Sequence, residues 1–292
     1  MPKTHEYEIV DVFAESRYAG NQLAIVYVDG REPDDWLQSI ANEFGFSETV
    51  FLPASMPGTG PVPTRIFTPK VELPFAGHPT LGAAWAVARH TETEEPVLEE
   101  RAGIMHTWRS QSGDNCFWMR QNPPEFGEQR PTEGLAHCLS LQASDIASFP
   151  QPQVVSTGLP FLIVRLASLD SVRRAVEQSR DLSDWLGNDG PLPVLVFATE
   201  AEETDHHIHA RMYAASLGIT EDPATGSANG CLAAYLLRHG VLAGNPLEAT
   251  VEQGYEMGRR SVLYVSAETT DGSITVAVGG QVQLVATGSL TE

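Results

Sequence analysis

Apolar and polar positions alternate over much of this chain, and the alternation predicts many short strands. Tyr7 to Phe13 and Gln22 to Val28 are two such runs, joined through the turn residues Tyr18 to Asn21 as a hairpin. Pro33 to Phe44 instead carries apolar residues at helical spacing, with Pro near its start, acids in its first turn and Gly45 as its stop. Extended segments follow at Phe46 to Leu52 and Thr64 to Thr68, separated by a Pro- and Gly-rich loop from Ala54 to Pro63. Further strands are predicted at Val97 to Glu100, Gly103 to Trp108 and Cys116 to Arg120, and Gln121 to Pro131 reads as a linker. Beyond it come a short helix at Leu135 to Leu141, strands at Val154 to Ser156 and Phe161 to Leu166, and a helix from Leu169 to about Ser179. Strands at Pro193 to Thr199 and His207 to Tyr213, then Leu247 to Glu252, Ser261 to Ala267, Ser273 to Val278 and Gln281 to Ala286, complete the pattern.

Two helices break the alternation. His78 to His90 and Ser227 to His239 are small or apolar on nearly every side, a composition suited to the middle of a lobe wrapped by sheet. Each follows a turn of Pro, Gly and small residues. The two turns align without a gap at an offset of 149 residues, from Glu72 to Glu221, with Pro74 on Pro223, Gly77 on Gly226 and His78 on Ser227. Such a repeat predicts an internal duplication and an α+β fold of two pseudo-symmetric lobes, each a mostly antiparallel sheet curled around a central helix. The expected lobes are residues 1–122 with central helix 78–90, completed by a final strand near 280–288, and residues 130–279 with central helix 227–239. Unpaired N–H groups at the start of each helix favour an anion, and a cleft shared by the two helix tips is the expected binding site.

Composition narrows the field. The formal charge of −20, from 38 acids and 18 bases, disfavours nucleic acid and anionic membranes as partners. No apolar run reaches membrane-spanning length and the first residues lack a signal-peptide core, so a cytoplasmic protein is expected. Cys116, Cys138 and Cys231 are too few and too scattered for a disulfide framework or zinc cluster. His206-His207-Ile208-His209 suggests metal, but its alternation with apolar residues reads as the polar face of a half-buried strand, so no metal is expected. Neither turn contains the cysteine that a two-thiol racemase would need.

The individual side chains leave alternatives open. Glu48 lies in an apolar stretch, either facing a cleft, where desolvation raises its pKa, or facing outward from a strand. His78 sits at a helix start, where the dipole favours neutral imidazole: it either hydrogen-bonds or relays a proton, or is a plain helix-entry residue. Asp222 binds a substrate amine, acts as a second carboxylate, or serves ordinary turn or capping chemistry; Ser227 donates to a substrate carboxylate or caps its helix, two roles that do not exclude each other. Gly77 and Gly226 allow close approach of a ligand to the backbone, or meet a bare turn requirement.

Taken in order, Asp11-Val-Phe with Gly20-Asn21, Phe46-Ser-Glu48-Thr, Glu72-Leu-Pro-Phe-Ala-Gly-His78-Pro, Thr157-Gly158, Glu221-Asp222-Pro-Ala-Thr225-Gly-Ser227-Ala and Gln253-Gly with Gly258-Arg259 resemble the phenazine-biosynthesis PhzF-like isomerase family, within the wider fold of diaminopimelate epimerase. The resemblance spans nearly the whole chain; Gln22 and Arg260 stand where the family commonly has Pro. It implies that Glu48 is a general acid/base, that His78, Asp222 and Ser227 complete the catalytic set, and that Gly77, Thr225, Gly226 and Gly158 bind substrate. It further implies a cofactor-free isomerase acting on a small carboxylated substrate such as trans-2,3-dihydro-3-hydroxyanthranilate, and a homodimer. An epimerase or racemase of an amino-acid-like substrate and a non-catalytic small-anion binder are the alternatives.

Overall fold

The computed structural model describes residues 3–58, 60–111, 115–187, 190–215 and 218–291. The chain divides into two compact units, Met1–Arg120 with Gly279–Glu292, and Gln121–Val278.

In the first unit, strand β1 (Thr4–Val12) pairs antiparallel with β2 (Asn21–Val28), Tyr7 opposite Val26. Helix α1 (Asp34–Phe44) buries Leu37 and Ala41 and stops on Gly45 in the left-handed region. The chain then returns as β3 (Glu48–Pro53), parallel to β2 with Leu23 opposite Glu48. After β4 (Val62–Pro63), strands β5 (Arg65–Phe67) and β6 (Glu72–Leu73) add on antiparallel and lead into α2 (Gly77–Thr91). A second layer follows from β7 (Val97–Glu100), β8 (Gly103–Arg109) and β9 (Cys116–Arg120), with β7 parallel to β4. Residues Gly77 to Val87 of α2 are all buried, which explains their near-total lack of charge. The helix lies so close to the sheet that a Cβ on Gly82 would sit 2.3 Å from Leu23 Cδ2.

The second unit runs through β10 (Glu125–Gln129), α3 (Leu135–Cys138), the hairpin β11 (Gln153–Ser156) and β12 (Pro160–Arg165), α4 (Leu169–Arg174), α5 (Ser179–Leu186) and β13 (Val194–Ala198), which is parallel to β12. Strands β14 (Ile208–Ala214) and β15 (Ile219–Asp222) lead into α6 (Gly226–His239), buried from Gly226 to Leu236. Then β16 (Leu247–Gln253) joins parallel to β14, and β17 (Ser261–Thr270) pairs antiparallel with β16. The order of the first unit thus recurs: a hairpin, a helical crossover to a parallel strand, and a short strand entering a buried helix. The last strand, β18 (Ser273–Thr291), passes from the second unit to the first at Gly279 and pairs with β1. Among the described residues no helix is long and apolar enough to cross a membrane.

Four local expectations are corrected. The supposed linker at Gln121 to Pro131 contains β10, which pairs with β11; its prolines lie outside the ladder. The helix expected from Leu169 to Ser179 ends at Arg174. Arg211 donates through Nη1 to the carbonyls of Val172, Arg173 and Ala175, and the Tyr213 hydroxyl to that of Ala175, so groups that would have continued the helix are taken by side chains. The two strands expected near the C-terminus are one. Strand β14 is buried on both faces rather than half-exposed, because the charges on His209 and Arg211 are matched inside the unit.

Candidate active site

Glu48 opens β3, and the pairing with β2 places it beside the hairpin turn, where the Ser47 hydroxyl donates to Asn21 Oδ1 at 3.4 Å. Its side chain is 13% exposed, and its Oε2 lies 3.5 Å from Nε2 of His78. His78, the second residue of α2, is 6% exposed. Burial pushes its imidazole down to about 3, against a hydrogen bond to the Gln22 carbonyl that favours the charged form. The ring is therefore neutral, and its assignment follows from its partners. The nitrogen bonded to the carbonyl carries the proton, and Nε2, which has no hydrogen-bond partner, turns its lone pair toward Glu48. At 3.5 Å the two groups stand just beyond a firm hydrogen bond. A proton arriving on Glu48 would complete it. Neutrality was expected from the helix dipole, whereas desolvation is the dominant cause.

The N-cap of α2 is Ala76, in extended conformation and without a side-chain cap, and the first turn, beginning at Gly77, carries no acid. No acid of its own sequence occupies that turn, so its N–H dipoles leave the end of the helix favourable to an anion.

In the second unit, Asp222 ends β15 and is buried. The Thr225 hydroxyl donates to its Oδ2 in a short contact, so the turn role anticipated for Asp222 is real. Gln253, at the end of β16, locks this turn: its Nε2 donates to the Asp222 carbonyl at 2.8 Å, and its Oε1 accepts from Thr225 N at 3.3 Å and Asn229 Nδ2 at 2.8 Å. Thr225 is the N-cap of α6, again with no side-chain cap bond, so Ser227 is not the cap; it lies inside the first turn beside Gly226. Gln121 Nε2 donates to the Gly226 carbonyl at 3.0 Å, and the Thr157 hydroxyl donates to Gln121 Oε1 at 2.7 Å. Gly158, next to Thr157, has φ 136.

The structure thus brings Glu48 to His78, and Asp222 and Thr225 to the mouth of the helix that carries Gly226 and Ser227. Gln121, Asn229 and Gln253, the side chains that hold the second turn, were not anticipated. Only the place of Gln253-Gly254 among the motifs that carry the family resemblance hinted at a role. Among the described residues no group of three or more His, Cys, Asp or Glu is arranged to hold a metal. Instead, His209 bonds Glu252 through Nδ1 at 2.7 Å and Glu256 through Nε2 at 2.9 Å, and His206 bonds Glu252 at 2.8 Å.

Residues 10–288 match the phenazine biosynthesis-like protein family. A trans-2,3-dihydro-3-hydroxyanthranilate isomerase from Pseudomonas aeruginosa is 34% identical over 268 residues, covering 90% of this chain and 91% of that protein. The crystal structure of a phenazine biosynthesis protein of the PhzF family from Bacillus anthracis superposes with a TM-score of 0.90 at 26% identity, over 99% of this chain and all of the other. A hydroxyproline epimerase from Agrobacterium vitis, 13% identical, shares the fold with a TM-score of 0.66 over 100% of this chain and 94% of its own. This chain accordingly belongs to the phenazine biosynthesis-like protein family, as an isomerase.

Proposed function

We propose that this isomerase moves a proton between two carbons of a small carboxylated substrate by carboxylate general acid/base catalysis, without a cofactor, and that trans-2,3-dihydro-3-hydroxyanthranilate is a substrate. The observation that carries the reading is the Glu48–His78 pair: a largely buried carboxylate facing the lone pair of a neutral imidazole at an uncapped helix start. Glu48 takes the proton from a carbon next to an unsaturated system, and the C–H electron pair moves into that system. The acid so formed donates to His78 Nε2, which keeps the proton close without accepting it as a cation. Glu48 then returns the proton at a second carbon. One C–H bond breaks and one forms, so no oxidant or reductant enters. From the family's motifs we further propose substrate-binding or catalytic roles for Asp222, Ser227, Gly77, Thr225, Gly226 and Gly158. The N–H groups at the start of α2, beside the Glu48–His78 pair, stabilise negative charge that develops on the substrate.

An epimerase driven by thiols is disfavoured by Cys231, fully buried and pushed up to about 11 by desolvation. Turnover in deuterated water tests the proposal. Deuterium should enter the product with wild-type protein in proportion to the exchange of the Glu48 carboxyl proton with solvent before it is returned, and Glu48→Gln should lower the rate by roughly 10²- to 10⁴-fold. Undiminished exchange in Glu48→Gln would remove Glu48 from the mechanism. Inversion at one carbon without a double-bond shift would favour an epimerase, and binding without exchange a plain anion binder.

A further inference from the structure

Glu100, the last residue of β7, is 5% exposed and takes no part in the proposed chemistry. Its Oε1 lies 2.7 Å from Thr80 Oγ1, and the same hydroxyl lies 2.7 Å from the carbonyl oxygen of Ala76. A hydroxyl has one proton to give, and a carbonyl can only accept. A single hydroxyl proton split between two acceptors would leave both contacts long and weak, so two contacts of 2.7 Å are both full hydrogen bonds when Glu100 is the donor to Thr80, and therefore a neutral carboxylic acid. Its remaining oxygen, Oε2, is buried without any partner, which is tolerable for the C=O of an acid and costly for a carboxylate. Burial also pushes this carboxyl up to about 7, the Thr80 hydroxyl opposing.

Ala76 is the N-cap of α2 and Thr80 lies in its first turn, so the chain from Glu100 through Thr80 to Ala76 closes around the turn that carries His78. We propose that Glu100, as a neutral acid, is a positioning residue for the Glu48–His78 pair: its proton commits the Thr80 hydroxyl to the Ala76 carbonyl and so holds the first turn of α2. This rests on the reading of that pair as catalytic. When Glu100 loses its proton, the Thr80 hydroxyl swings to the carboxylate and the Ala76 carbonyl keeps only the Thr80 backbone N–H, at 3.2 Å. The charged groups around Glu100 are accounted for. It borders a groove of about 510 Å³ with Asp34, Arg65, Glu72, Glu99 and Arg101. Arg65 is bonded to Glu72 and Asp34, and Arg101 to Glu72. On α2 itself the titratable group of the first turn is His78, bonded to Gln22 and facing Glu48.

Glu100→Gln tests the idea, because its amide N–H₂ donates to Thr80 at every pH. Isotope-edited infrared spectra of the wild type should contain a carboxylic acid C=O band that is absent from Glu100→Gln and that fades as pH rises through about 7. The NMR signals of the His78 ring should move over the same interval in the wild type and stay fixed in the variant. The alkaline limb of the kcat profile near that pH should disappear in Glu100→Gln, and Thr80→Val should lower kcat by about tenfold or more with less effect on KM. An ionised Glu100 below about pH 6, or His78 signals that track pH equally in both proteins, overturns the proposal. The two spectroscopic readouts need no turnover, so they separate failure of this inference from failure of the proposed reaction.

Discussion

His78 shows how one side chain links burial to chemistry and to stability. Its imidazole is neutral because water is excluded, and neutrality leaves Nε2 able to accept a proton that Glu48 shares. The same burial costs stability in acid. The folded-state pKa is about 3 against an ordinary 6.5, so between those values the unfolded chain binds the extra proton and the folded chain does not. The contribution of His78 is therefore intact above about 6.5 and erodes as pH falls toward 3. Urea midpoints measured across this interval should fall more steeply for the wild type than for His78→Gln. Over the neutral range the rate of the enzyme should show no titration belonging to His78. The residue was legible in sequence as a helix-entry histidine, but its partner was not, since strands β4, β5 and β6 intervene between Glu48 and His78.

At the scale of elements, both central helices are defined as much by what is missing from them as by what they contain. In α6 the missing atom is the Cβ of Gly230, which would lie 1.8 Å from Oε1 of Gln121. That is an oxygen fixed by the Thr157 hydroxyl, on a side chain whose amide holds the Gly226 carbonyl. Gly230→Ala should thus displace Gln121 and loosen the first turn of α6, at a cost of about 1–3 kcal/mol by overpacking. Chemical denaturation checks the value. Combining it with Gln121→Ala should cost less than the two single changes added together, a coupling that a double-mutant cycle reads directly. The alternation of apolar residues located most strands, and the all-apolar helices announced their central place. The end of α4 was invisible because Arg211 and Tyr213, which terminate it, lie more than thirty residues further on.

For the molecule as a whole, pH acts in the opposite sense at another buried histidine. His209, 0% exposed, is gripped by Glu252 and Glu256; burial alone would lower its pKa, and these two carboxylates raise it to about 9. Glu252, which also accepts from the backbone N–H groups of Glu202 and Glu203, is held down at about 2 against its own desolvation. Because the His209 pKa is raised on folding, its stabilisation is fully present below about 6.5 and is lost as pH rises through about 9. Thermal unfolding should report a falling Tm over that interval, on top of the growing self-repulsion of a chain already at −20. Glu252→Gln should lower stability at pH 7 by about 3–5 kcal/mol, as expected for breaking one partner of a buried pair, and should flatten the alkaline decline.

The amino-acid sequence by itself determined the periodicities, and with them the strand-rich fold, the two buried helices and their glycine-bearing entries. These are local properties: whether a residue faces core or solvent repeats with the geometry of its own element, and a turn needs particular residues within a few positions. The resemblance to the family's motifs, rather than any local pattern, picked out Glu48, His78, Asp222 and Ser227 as candidates. Tertiary structure alone decided which groups meet. The facing of Glu48 and His78, the lock of Gln253 on the second turn, the salt-bridged burial of His209 and the protonated Glu100 behind Thr80 all depend on sheet registers and helix approaches accurate to fractions of an ångström. A proton's position is set by such distances between residues far apart in the chain, and no local pattern encodes them.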